Sequence, residues 1–410
     1  MRTDRHEHEH EHTGQVLLGP TLSTATAYPF DAAPFWWLWS AHRWPSYGPA
    51  RLKRRALLMA LLSWLPLVVL TALQRGPGTA EAWLTPMLDL GIGARYLVAL
   101  PILVLGESLF VGRLSDIVRH LQRAAFVRRA DTARFASILA TSRRLLAHHF
   151  AEVVILLIAY IISLRATGFG SEVGMATWRV RLLPPDTSIS SNAQWWRLIV
   201  SQPLFLLCVG RWCWRLLVWH RMLRSIGRLD LNLVPSHPDR AGGLLFVAQS
   251  IPALAPFGFA LGCGVAGTLA GPEGSHVIAP AVLGGTVAVL VASLLTMAVA
   301  PLLWLARPLR RAQLRGVFEY GELAARIGRR FETRWLRERH SMHDALSAPD
   351  FSATADAYSV VDIVYGVRLV PVRARPLLAL VAATLLPFLP GAIALVPASE
   401  MLHYAAKLIL

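Results

Sequence analysis

The chain is short of charge, of lysine and of cysteine, and each shortage excludes something. Of its 410 residues only 16% are Asp, Glu, Lys or Arg, whereas a soluble domain carries about a quarter. One large soluble core is therefore the wrong expectation. The three cysteines, Cys208, Cys213 and Cys263, all lie in apolar runs without CxxC or Cys/His spacing, so neither a disulfide framework nor a zinc site is expected. Catalytic signatures are equally sparse: there is no Walker loop, dinucleotide fingerprint, HExxH pair or GxSxG elbow. No cofactor is expected, and catalysis is the least supported class.

What is present is apolar length. Hydrophobic residues make up 54% of the chain and the mean hydropathy is +0.46. Several runs approach or exceed the ~20 residues needed to cross a bilayer. They predict an all-α, polytopic membrane helix bundle of six or seven spans with amphipathic cytosolic helices. The expected spans are 56–73, 95–112, 150–168, 198–219, 244–270 and 277–305, with a last apolar run at 376–398. The organisation expected is a tail at 1–54, a bundle at 55–305, a basic helical segment at 306–375 and a closing unit at 376–410.

The tail carries His6, His8, His10 and His12 alternating with glutamates. Such a tract binds transition metals loosely but builds no fixed coordination shell on a flexible segment, so it reads as a solvated tail or a tag. No apolar core follows the charged N-terminus, so no signal peptide is expected. Trp36, Trp37, Trp39 and Trp44 precede the basic cluster Arg51–Arg55 and read as an interfacial segment.

A net charge of +16 raises the question of nucleic acid. The distribution of that charge answers it. Segments 1–55, 113–149, 220–243 and 306–375 hold 32 of the 41 basic residues, and the opposite loops with the C-terminal tail hold five. That asymmetry predicts a cytoplasmic N-terminus by the positive-inside rule, with the lipid bilayer rather than nucleic acid as partner.

Charges inside spans are costly and mark candidates. Arg211 and Arg215 are i,i+4 and share a helix face; they either hold an anion, line a pathway, snorkel to the surface or pair within the bundle. Glu107 sits at similar depth and is the expected partner of one of them. Glu152 is expected to be solvated or paired, Arg95 and Arg165 to face headgroups, and Trp212, Trp214 and Trp219 to form an interfacial belt. Pro252 and Pro256 are expected to break the fifth span, which then turns glycine-rich at Gly258, Gly262, Gly267 and Gly271. That small-residue spacing allows close helix approach, here in a hairpin with the sixth span.

Between the fourth and fifth spans lies the most distinctive string, Ser236-His237-Pro238-Asp239-Arg240-Ala241-Gly242-Gly243. It reads as a turn and helix start capped by Asp239, or as a ligand loop using His237, Asp239 and Arg240. Further on, Val317, Tyr320, Ala324, Ile327, Phe331 and Trp335 form one helical stripe, and 346–358 reads as a loop. Ile117, Leu121, Ala125, Phe135, Ile138 and Leu145 likewise recur at helical spacing in 113–149.

Three passages, LDLNLVPSHPDRAGGL at 229–244, FEYGELAARIGRRFETRWL at 318–336 and VVDIVYGVRLVPV at 360–372, resemble a group of uncharacterised multi-span bacterial inner-membrane proteins. The resemblance covers roughly residues 30–410 and implies a bacterial inner membrane; it carries over no residue role. The leading functional expectation is a channel or transporter for a small solute or ion, built as a homo-oligomer. A non-catalytic scaffold or sensor docking a cytosolic partner on 306–345 comes second, and an envelope- or lipid-modifying enzyme third.

Overall fold

Away from water an apolar run must satisfy its own backbone hydrogen bonds, and the helix is the local way to do so. The computed structural model describes residues 49–75, 89–168, 180–183, 187–190, 192–270, 280–337 and 350–391. The His/Glu tail with His6, His8, His10 and His12, the tryptophans at 36–44, the turn at 271–276 and the tail at 392–410 lie outside the described residues.

Helix α1 (Pro49–Arg75) contains the first expected span. Helix α2 (Leu90–Arg123) is 34 residues long, so the expected 95–112 is only its middle. It starts on Asp89, whose carboxylate accepts the Ile92 N–H at 3.1 Å, and its Gly93–Ala99 stretch is π-helical. Helices α3 (Thr132–Ala147) and α4 (His149–Gly168) follow, bent by 46° at their junction. A short hairpin follows, in which β1 (Val180–Leu183) pairs antiparallel with β2 (Thr187–Ser190). Helix α5 is built from Asn192–Trp196, a π-helical Arg197–Ser201 and Gln202–Ile226.

Two 3-10 turns, Leu245–Ser250 and Pro252–Leu254, lead into α6 (Ala255–Ala270). Helix α7 is Pro280–Leu303; α8 is Ala306–Glu332, prolonged by a π-helical Thr333–Arg337. The chain continues through α9 (Asp350–Tyr365) and α10 (Ala374–Leu385), which ends in a 3-10 turn at Leu386–Phe388.

Five stretches are long and apolar enough to cross a bilayer: Leu52–Gln74, Leu90–Arg123, Leu245–Leu269, Val282–Leu303 and Ala374–Gly391. The bent α3–α4 unit makes a sixth if it counts as one span. The protein is an integral membrane protein with an all-α bundle fold, the small hairpin aside. The expected span at 198–219 is helical but is not among the five, because Arg211, Arg215 and Gln202 dilute its apolar character. Instead α5 packs against α2, α3, α4 and α7.

Four expectations are corrected by packing. Residues 346–358 were expected to be a loop, yet α9 begins at Asp350. The apolar stripe of α8 is its half-buried face, and Phe331 and Trp335 meet Phe351 of α9 with ring centroids 4.8 and 5.2 Å apart. A helix that is polar on most faces is held by such a neighbour rather than by its own propensity. Secondly, α6 packs chiefly on α10 and α2 and only marginally on α7. A Cβ at Gly262 would lie 2.3 Å from the Thr384 carbonyl oxygen, so the small-residue face admits α10. Thirdly, Trp212 and Trp219 are each 1% exposed inside the bundle, and Trp212 stacks on Phe257 with centroids 5.1 Å apart. The same aromatic composition suits a headgroup belt and a core. Fourthly, α2 stops at Arg123 and Ala125 has φ 51°, so Ala125 lies outside the helix, while Ile117, Leu121 and Phe135 are buried.

Pro252 opens the second 3-10 turn and Pro256 sits in the first turn of α6. There a missing N–H removes no intrahelical bond. The change from 3-10 to α geometry falls between them, so the irregular entry of this span is real while α6 itself is uninterrupted.

Candidate functional site

The i,i+4 spacing of Arg211 and Arg215 puts both on the face of α5 that meets α2 and α4. Trp212 and Trp214 fix that face: their indole N–H groups donate to the Leu103 and Leu145 carbonyls at 3.1 and 3.2 Å. Arg211 Nη2 donates to Glu107 Oε1 at 2.9 Å and its Nη1 to Glu152 Oε1 at 2.5 Å. Arg215 Nη2 reaches the same Glu107 oxygen at 2.8 Å. Arg211 and Arg215 are 7% and 4% exposed and Glu107 is 9% exposed, so the guanidinium heads turn inward rather than snorkel. Two cations face two carboxylates drawn from α2 and α4. His149 Nδ1 stands 3.8 Å from the second oxygen of Glu152. A pocket of about 20 Å³, lined in part by Glu152, Arg211, Arg215 and His148, opens beside the network, room for roughly one water.

The SHPDRAGG string forms a second centre. Asp239 accepts the N–H groups of Ala241, Gly243 and Leu245 at 2.8, 3.0 and 3.1 Å, and its Oδ1 lies 2.9 Å from His237 Nδ1. Burial pushes the Asp239 carboxyl up, but the three backbone donors and His237 together hold it below its ordinary value. The turn needs left-handed backbone: φ is 55° at Arg240, 61° at Gly242 and 94° at Gly243. Arg240 is fixed through its carbonyl, which accepts the Arg368 N–H at 2.7 Å, and its side chain pairs with Asp362 at 3.1 Å. Ser236 Oγ and Tyr320 OH are 3.1 Å apart. The three distinctive passages of the sequence therefore meet in one junction, with α8 and α9 docked on the loop. His237, Asp239 and Arg240 are together there, but far along the chain from the Arg211 network, and Asp239 is engaged by the turn.

The same end of α5 carries His220, whose Nε2 accepts the Trp304 indole N–H at 2.9 Å; the Arg224 guanidinium lies 4.7 Å over the Trp304 ring. Burial, then the positive charge of Arg224, pushes His220 below its ordinary value.

A further cluster escaped the reading of the sequence. Arg95, expected at the headgroups, donates through Nη1 to Gln202 Oε1 at 3.3 Å and through Nη2 to Thr268 Oγ1 at 2.8 Å. The buried Tyr96 hydroxyl donates to the same Gln202 oxygen at 3.3 Å, and Arg197 Nε donates to Gln194 Oε1 at 2.9 Å. Arg197 stands one π turn before Gln202, whose backbone N–H bonds the Arg197 carbonyl, so Arg95 and Arg197 both border Gln202. Their shared position, early in α2 and early in α5, was the available signal.

Fold and site define a class, the integral α-helical membrane bundle with a charge network buried in its middle. Comparison with known proteins takes this no further, since no protein-family model, curated protein or solved structure matches the chain. Among the described residues no three His, Cys, Asp or Glu side chains gather into a group able to hold a metal ion.

Proposed function

We propose that the protein moves a small ion or solute across a bacterial inner membrane, with Glu107, Glu152, Arg211 and Arg215 as the charged constriction on its path. The observation that carries this reading is a network of four ionisable side chains from three helices in a membrane bundle, with Glu107, Arg211 and Arg215 buried and Glu152 half-buried. Intramembrane charges are expensive, and where they persist they commonly line a pathway or a relay. The pocket beside Glu152, Arg211 and Arg215 admits about one water, as a closed constriction does. The bend between α3 and α4 and the 3-10 entry to α6 supply irregular backbone, which membrane proteins keep at cavities and moving parts. The arginine asymmetry supports a cytoplasmic N-terminus. The proposal includes a homo-oligomer, checked by the mass of the detergent-solubilised particle. Proteoliposome flux is the main test: chloride, potassium or proton flux that falls in Glu107→Gln supports it. No flux of any of these, or flux unchanged by the substitution, removes it.

A second reading is favoured by the α8–α9 arm. Phe318 and Leu336 are each 75% exposed on a helix rich in arginine, the surface expected of a scaffold docking a cytosolic partner. Site-specific crosslinking from position 318 in cells, yielding one defined adduct in a protein without flux, would select it.

A further inference from the structure

The two arginine pairs of the bundle differ in how their charge is met. Arg211 and Arg215 face Glu107 and Glu152. Arg95 and Arg197 are half-buried, and their hydrogen-bond partners are neutral: Gln202, Thr268 and Gln194. Among the described residues neither of them forms an ion pair. The carboxylate whose charge reaches Arg197 is that of Asp89, which is 3% exposed and occupied in capping the start of α2. Two neighbouring cations withdrawn from water repel each other and lose hydration, and neutral acceptors compensate only part of that.

Both arginines, moreover, stand on π-helical stretches, Gly93–Ala99 in α2 and Arg197–Ser201 in α5. The extra residue in a π turn re-aims side chains, and such turns recur at functional sites. Here they bring residues 102 apart in sequence to one end of the bundle: Arg95 meets Gln202 and Thr268, and Arg197 meets Gln194 and bonds the Gln202 N–H through its carbonyl. The Gln202 carbonyl oxygen accepts from Arg95 and Tyr96, which leaves its amide N–H₂ as the donor end of the side chain. Two forked cationic donors and one amide donor match the oxygens of a tetrahedral or carboxylate anion.

We infer that Arg95, Arg197 and Gln202 form an anion-binding site for a phosphate-type oxyanion, at the opposite end of α2 and α5 from the SHPDRAGG junction. The oxyanion is either free in solution or the headgroup phosphate of an anionic lipid. This inference goes beyond the transport reading and does not depend on it, because it is tested by binding without flux.

The experiment uses the full-length protein purified in a maltoside detergent, which carries no phosphate. Thermal unfolding and titration calorimetry with inorganic phosphate are run on wild type, Arg197→Gln, Arg95→Gln and Arg197→Lys. A free-anion site gives saturable stabilisation that weakens roughly ten- to hundredfold in either glutamine variant and is partly retained in Arg197→Lys. A headgroup site gives no response to phosphate, but nanodiscs of phosphatidylglycerol stabilise wild type over phosphatidylcholine nanodiscs, and Arg197→Gln abolishes the difference. If neither phosphate nor phosphatidylglycerol distinguishes wild type from Arg197→Gln, the site does not exist. Should Arg95→Gln fail to fold, Arg197→Gln decides alone. Without anion that variant is expected to melt no lower than wild type, since it relieves the repulsion with Arg95; an anion-independent loss of stability would mark Arg197 as structural and overturn the inference.

Discussion

Arg215 of α5 and Glu107 of α2 meet at 2.8 Å through Nη2 and Oε1, both almost wholly buried. The same carboxylate oxygen also receives Arg211 at 2.9 Å. Glu107 is thus the hub of the network, and Glu152, which is less buried and among the described arginines binds Arg211 alone, is its outer member.

Glu107→Gln should therefore be the most damaging change in the network. It leaves two buried guanidinium groups short of a counter-charge, a loss of about 3–5 kcal/mol. Glu152→Gln should cost roughly 1–3 kcal/mol. Thermal melts of the two variants in detergent check the order; equal losses would argue against Glu107 as hub.

Asp239→Ala should destabilise the junction by at least about 2 kcal/mol, since three backbone N–H groups lose their acceptor. Asp239→Asn keeps one acceptor oxygen and should cost less. The carboxyl is held below its ordinary value of 3.8 in the folded state. Its contribution is therefore complete above that value and is lost as pH falls through the lower, folded value. The stability gap between wild type and Asp239→Asn should be constant from pH 7 to 5 and shrink only below pH ~4, as unfolding against pH will show.

His220 should give a window of the same sign but higher in pH, in the physiological range. Its folded state favours the neutral ring, which accepts from Trp304. Between the ordinary value of 6.5 and the lower folded value, only the unfolded chain holds the extra proton. Stability contributed here is thus present above pH 6.5 and declines as pH falls below it. His220→Gln, which keeps an acceptor for Trp304 but does not titrate, should lose less stability between pH 7.5 and pH 5.5 than wild type (a window set about the ordinary histidine value).

Gly262→Val should force α6 and α10 apart, because the new Cβ would stand 2.3 Å from the Thr384 carbonyl oxygen. A cost of about 3 kcal/mol is expected, the top of the overpacking range. A cysteine pair placed across α6 and α10 should crosslink in wild type and crosslink more slowly in the variant.

Arg240→Gly is expected to be mild despite the distinctiveness of the motif. The side-chain pair with Asp362 is largely solvent-exposed, so its loss costs under about 1 kcal/mol. Glycine, meanwhile, relieves the φ of 55° that arginine adopts reluctantly. A melting temperature close to that of wild type checks this.

Much of the architecture was legible because apolar length and buried charge are coarse signals. Runs near 56–73 and 277–305 cannot be much else, and Glu107 had to find a cation at its own depth. Helix α9 was not legible, since its polar composition resembles a loop until Phe351 and Tyr358 meet α8. The Arg95–Arg197 cluster was hidden for a different reason: π turns shift the register of side chains without changing which residue types are present. The tryptophans of α5 misled because belt and core draw on the same residue.

Helix α2 has one more consequence. At 34 residues it is a rod of about 50 Å, well beyond the ~30 Å of a hydrocarbon core. It carries Arg95 near one end, Glu107 in the middle and His120 near the other, where the His120 ring meets Phe246 with centroids 4.3 Å apart, just past the SHPDRAGG turn. A rod cannot tilt at one end alone. A rigid rotation of about 5° about Glu107 would swing each tip by roughly 2 Å in opposite senses, so any tilt of α2 about its middle ties the Arg95 end to the His120 end.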